Sequence, residues 1–127
     1  MNKLLLELHL NAKNSGKLVL KSPGQLLRLK KLDNAMPLVA SLHQLSKAID
    51  AGAVQNCGYE LRDINGKEWL LECKVIRGLV DLQLWFQSLD LNEQLQTLFN
   101  WRGPVREFVS AINGMIERMP KYRFAFW

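Results

Sequence analysis

One alternation of apolar residues restricts this chain more than anything else in it. Cys57, Tyr59 and Leu61 fall at odd positions, as do Trp69, Leu71, Cys73 and Val75, whereas Val80, Leu82, Leu84 and Phe86 fall at even ones. A period of two is the mark of strands with one buried face. Sliding such a strand by one residue turns its whole apolar set to water, so the register is fixed by the pattern itself. At the first turn, Asp63-Ile64-Asn65-Gly66-Lys67, a two-residue Asn65-Gly66 connection sets Trp69 against Arg62 and Leu71 against Glu60. A three-residue Ile64-Asn65-Gly66 loop with Gly66 in the left-handed conformation pairs Leu61 with Trp69, Tyr59 with Leu71 and Cys57 with Cys73 instead. The apolar pattern selects the second. At Arg77-Gly78, pairing Ile76 with Leu79 aligns Val75 with Val80, Cys73 with Leu82, Leu71 with Leu84 and Trp69 with Phe86. Each mismatched pair would forfeit about 0.2–1 kcal/mol. The centre of the chain therefore reads as a three-stranded antiparallel meander.

On either side the pattern is less constrained. Leu4, Leu6, Leu8 and Leu10 alternate with Leu5, Glu7 and His9, and Leu18 and Leu20 alternate with Lys17, Val19 and Lys21. This is an N-terminal hairpin turning near Asn14-Ser15-Gly16. Gln25–Leu32 fits a third strand or a short helix, with strand preferred. Residues 36–51 form a helix, with Leu38, Leu42, Leu45 and Ile49 on one stripe, Pro37 in the first turn and Gly52 at the stop. Two C-terminal helices follow. Asp90 to Phe99 opens on an Asp90-x-x-Glu93 capping pattern. A second helix begins at Gly103-Pro104 and carries Val105, Phe108, Val109, Ile112, Ile116 and Met119 as its apolar stripe, with Gly114 opposite. The tail from Lys121 alternates Tyr122, Phe124 and Phe126 and is expected to add a short terminal strand. The reading is an α+β fold, a single domain over residues 1–127, with Trp69, Leu71, Val75, Leu82, Leu84 and Phe86 packed against the helices.

The net charge of +5 is segmental. Residues 1–31 hold seven basic side chains and one acid, residues 32–100 five and nine, and residues 101–127 five and two. Lys13, Lys17, Lys21, Arg28, Lys30 and Lys31 are thus the candidates for contact with phosphates or an acidic partner. No aromatic residue lies among them, which argues against base stacking by that segment. The Leu-rich start includes Glu7 and His9 and has no small-residue cleavage site, so it reads as folded structure and neither a signal peptide nor a membrane span. Cys57 and Cys73, without an export signal, are expected to be buried thiols in a cytoplasmic protein. Their spacing and the remote His9 and His43 do not make a zinc site, and no cofactor motif is present.

One constellation points to chemistry. Glu72-Cys73-Lys74 lies on a strand that follows a hairpin bearing Glu60 and Asp63, and Glu60, Glu72 and Lys74 share the outer face in the chosen register. The surrounding element order partly resembles the PD-(D/E)xK nuclease core. That resemblance implies a divalent metal held by an acid and the E-x-K strand, with the lysine supporting an activated water. The Pro-Asp element is missing, and alternating charges on a solvated strand produce E-x-K by themselves. Leu70 opposite Trp85, together with Trp101 and Trp127, are candidates for a protein interface. The leading functional expectation is a small non-enzymatic binding protein (inhibitor, immunity or accessory-subunit type) acting on another protein. Nucleic-acid binding through the basic segment is the alternative, and metal-dependent cleavage ranks third.

Overall fold

The computed structural model describes residues 3–10, 15–33, 35–53, 56–87 and 96–119. Their order is β1 (Leu5–Leu10), β2 (Gly16–Ser22), β3 (Gln25–Leu32), α1 (Ala35–Asp50), β4 (Asn56–Arg62), β5 (Glu68–Ile76), β6 (Leu79–Gln87), β7 (Gln96–Pro104) and α2 (Val105–Glu117). The protein is α+β, with two helices and two antiparallel sheets ordered β1-β2-β3 and β4-β5-β6-β7.

The central registers are those the apolar pattern selects. Leu61 faces Trp69, Tyr59 faces Leu71 and Cys57 faces Cys73, while Trp69 faces Phe86 and Ile76 faces Leu79. Gly66 has a φ of 87°. Asp63 fastens this loop, because its carboxylate Oδ1 accepts from the Asn65 and Lys67 amides at 2.9 Å each. Arg77 and Gly78 both take positive φ, 53° and 78°. The second turn is therefore the two-residue kind that follows strand twist, although arginine is a poor residue for it.

At the N-terminal end the preferred strand at Gln25–Leu32 forms, and its pairing with β2 extends the hairpin to a three-stranded sheet. The C-terminal end departs from the expectation. The meander has a fourth strand, since residues 96–104 form β7 where a helix was expected up to Phe99. The physical reason is a bulge. Leu84 pairs with Phe99 but Trp85 pairs with Thr97, which leaves Leu98 as an extra residue. That extra residue sets two apolar side chains in sequence and disguises the period of two as a helical one. Only one of the two expected C-terminal helices is observed among the described residues. Asp90 to Leu95 and the expected terminal strand lie outside them.

α1 ends in a Schellman motif, with the Gly52 and Ala53 amides donating to the carbonyls of Ile49 at 3.0 Å and Ala48 at 2.8 Å. α2 starts behind Pro104, whose ring suits the entry to a helix. Its mid-helix Gly114 has a packing reason. A Cβ there would meet the Arg118 guanidinium at 3.2 Å, and that guanidinium donates to the Leu6 carbonyl on β1 at 2.7 Å.

α2 packs against α1, against β1 of the first sheet and against β6 and β7 of the second. It thereby joins both sheets in one buried cluster that includes Leu18, Leu20, Val39, Leu82, Leu84, Phe99, Phe108 and Ile112. Of the expected core, Trp69, Leu71, Leu82 and Leu84 are buried, and Val75 and Phe86 pack partly buried against them. β3 also touches both edges of the four-stranded sheet. Its first residue, Gln25, holds the Asn100 backbone of β7 through two hydrogen bonds, 2.6 and 3.0 Å. Its last, Leu32, bridges to Asp63 beyond the end of β4.

Candidate binding surfaces

The outer face of the first sheet follows from strand alternation. Leu6 and Leu8 on β1, Leu18 and Leu20 on β2 and Leu29 on β3 are buried. Their neighbours therefore point the other way: Leu5, Glu7 and His9, then Lys17, Val19 and Lys21, then Leu26, Arg28 and Lys30. The pairing sets Leu5, Lys21 and Leu26 in one row and Glu7, Val19 and Arg28 in the next, with His9 beside Lys17. Four of the six basic candidates thus share one face. Among the described residues none of the four lies within ion-pair distance of an acid, and Glu7 is held by His9 at 3.4 Å. Lys31 leaves the pattern. It occupies a bulge between the Gly16–Leu32 and Leu18–Leu29 pairs with a φ of 58°. Its carbonyl accepts from the Ile64 amide at 3.0 Å. Lys13 lies outside the described residues.

On the outer face of the second sheet the charges are matched to one another. Arg62 lies 3.8 Å from Glu68, Lys74 lies 3.4 Å from Glu72, and Arg102 lies 3.4 Å from Asp81. Glu60 and Glu72 fall diagonally across the β4–β5 pair, because Glu60 opposes Leu70 and Glu72 opposes Gly58. The other diagonal is filled, with Leu70 Cδ1 lying 3.5 Å from the Cβ position of Gly58. Leu70 thus fills the diagonal that crosses that of Glu60 and Glu72, and Lys74 is already paired with Glu72. Among the described residues no group of three or more His, Cys, Asp or Glu side chains could hold a metal ion.

Leu70 and Trp85 oppose each other on this face, both half-buried, and Ile76 and Leu79 at the β5–β6 turn are 52% and 41% exposed. Trp101 is 3% exposed and belongs to the core, where its indole ring lies over Gly103. Trp127 lies outside the described residues. Cys57 and Cys73 are both free thiols. Burial, then the neighbouring Cys57 and Asp81, pushes the Cys73 thiol up to about 12. It is therefore protonated and inert at neutral pH. Tyr59 donates its hydroxyl proton to the Ser41 carbonyl at 3.3 Å, and burial likewise raises its pKa. His43 is half-buried, and burial together with Lys47 lowers its pKa.

A cleft of about 440 Å³ opens between β4 and the start of α1, lined by Leu32, Pro37, Leu38, Ser41, Tyr59 and Leu61 among others. The sequence carries no motif for it, since its walls come from four elements (β3, α1, β4 and β5) that meet only in the fold. The same holds for Gln25, whose link to Asn100 spans 75 positions.

These features define an α+β protein with a basic sheet face, a charge-matched sheet face and a cleft along one strand edge. No protein-family model, curated protein or solved structure gives a match to the chain. Among the described residues no helix is long and apolar enough to cross a membrane.

Proposed function

We propose that this chain is a small non-enzymatic binding protein that docks an acidic partner protein on the outer face of its first sheet. The observation that carries the reading is the convergence of Lys17, Lys21, Arg28 and Lys30 on one face with no acid paired to any of them among the described residues. Unpaired cations on a rigid sheet steer an anionic surface and fix its register. Leu26, 49% exposed within the same face, adds apolar contact of the kind protein interfaces use. The nucleic-acid reading has weaker support. The face carries no aromatic residue on which bases could stack. Two free thiols fit a reducing compartment such as the cytoplasm.

The test is affinity capture from the native host with wild type and a Lys17→Glu/Lys21→Glu/Arg28→Glu variant, with and without nuclease treatment. A protein retained by wild type, lost by the variant and insensitive to nuclease is the expected result. Nuclease-sensitive retention would replace this reading with the nucleic-acid one, and equal retention by both forms would remove the basic face from consideration.

A further inference from the structure

The two edges of the four-stranded sheet are treated differently. At β7 the side-chain amide of Gln25 binds both the N–H and the C=O of Asn100. At β4 the first sheet makes contact only at the end of the strand. Leu32 pairs with Asp63, the Asp33 amide donates to the Arg62 carbonyl at 2.8 Å, and the Ile64 amide donates to the Lys31 carbonyl at 3.0 Å. The chain then turns away into α1. The Asp63 amide donates to the Lys67 carbonyl at 2.9 Å, which sets the parity of the β4–β5 ladder. Leu61, Tyr59 and Cys57 bond to β5, so the backbone groups of Glu60 and Gly58 are directed away from the sheet. Neither residue makes a backbone hydrogen bond outside its own sheet among the described residues.

The cleft lies along the Tyr59–Arg62 part of this edge, with Pro37, Leu38 and Ser41 on the helix side and Tyr59, Glu60 and Leu61 on the strand side, and Gly58 continues the edge beyond it. The charges lining it are Asp33, Glu60 and Glu68 against Arg62. Arg62 is held by Glu68, while Asp33 and Glu60 have no cation within ion-pair distance among the described residues.

We propose that this cleft binds an extended segment of a partner protein, which adds to β4 as an antiparallel strand in line with β3. Outward N–H and C=O groups of Glu60 and Gly58 supply main-chain hydrogen bonds, the usual source of affinity when a strand is added to a sheet edge. Pro37, Leu38 and Leu61 take one apolar side chain of the segment, and the unmatched Asp33 and Glu60 select Lys or Arg beside it. Gly58 leaves the strand edge open to a second backbone. This site is separate from the basic face and has the opposite charge preference, so it stands or falls independently of the docking reading above.

The probe is the peptide Ac-Val-Lys-Leu-Lys-Val-NH₂, titrated into the ¹⁵N-labelled full chain. Saturable shifts at the Gly58 and Glu60 amides, with at least tenfold slower hydrogen exchange at both, are expected. Glu60→Pro removes an outward N–H without touching the β4–β5 ladder and is expected to weaken binding at least tenfold. Because a proline could also perturb the strand, a peptide N-methylated at alternate residues provides a second measurement on unaltered protein, and its binding should be abolished. Three results would each overturn the proposal: no saturable shift at those amides up to millimolar peptide, equal binding of the N-methylated peptide, or self-association that Glu60→Pro abolishes. The last would assign the edge to a second copy of the chain.

Discussion

The outer faces of the two sheets use the same residue types to opposite ends. On the four-stranded sheet, Arg62, Lys74 and Arg102 each lie beside an acid, two of them across strands, while Leu70 and Trp85 pair between them. On the three-stranded sheet, Lys17, Lys21, Arg28 and Lys30 stand without such partners among the described residues. A sheet whose charges cancel is saturated with its own interactions, and its surface is part of how it holds together. A sheet with unmatched like charges gains nothing from them in folding and leaves them available to something else. Lys17, Lys21, Arg28 and Lys30 against the single Glu7 thus leave the outer face of the three-stranded sheet with an excess of positive charge.

If this contrast is right, substitutions in the second sheet should cost stability and those on the first face should not. The largest effect is expected at Gly103 on β7, where an added Cβ would fall 2.4 Å from the Trp101 ring, too close for a ring that is only 3% exposed to accommodate. Gly103→Ala should lower stability by about 2–3 kcal/mol in urea melts.

Next is Cys73. In the unfolded chain its thiol ionises near 9.0, whereas in the folded protein it keeps its proton up to about 12. Below the lower value both states are protonated and the contribution is constant. Above it only the unfolded state loses the proton, so stability should fall with rising pH by at most about 1.4 kcal/mol per pH unit. The Cys73→Ala variant, compared with wild type by urea titrations between pH 8 and 11, should show a shallower decline. An identical decline would place the alkaline loss elsewhere.

A smaller effect of opposite sign is expected on the first sheet. Lys31 holds a left-handed backbone that costs a side-chain-bearing residue about 1 kcal/mol. Lys31→Gly should therefore raise stability by about 0.5 kcal/mol after the added freedom of the unfolded chain is counted. The smallest change is expected from Lys17→Glu/Lys21→Glu/Arg28→Glu. Reversing three charges without ion-pair partners among the described residues, Lys21 and Arg28 exposed and Lys17 half-buried, should move the unfolding free energy by less than about 0.5 kcal/mol. A large loss there would show that the basic face is structural and would break the contrast between the sheets.

The parts of this fold legible in the sequence are those where burial alone fixes the answer. The β4–β5–β6 registers follow from parity, because only one alignment puts Trp69, Leu71, Leu82 and Leu84 on the same side. α1 and α2 follow from their stripes and from the Pro37, Gly52 and Pro104 signals at their ends. β7 was not legible, because the extra Leu98 breaks the alternation where it was needed. The basic residues could be counted, but their convergence on one face depends on the β2–β3 pairing. Trp101 looked like an interface anchor because nothing local shows that Gly103 leaves room beneath its ring. The E-x-K strand was visible, but the pairing of Lys74 with Glu72 along its own strand was not.

The two links that tie the first sheet down have a consequence in time. Gln25 binds Asn100 across 75 positions, and Arg118 binds Leu6 across 112. During synthesis the three N-terminal strands emerge first, with Leu6, Leu8, Leu18, Leu20 and Leu29 on a face that α2 helps to cover. That face stays open until α2, which follows all seven strands, has been made. Closing such distant contacts is slow because the loop entropy comes before the contacts that offset it. The first sheet is therefore completed only after α2 has followed it out, and until then its leucine face can meet the same face of another copy.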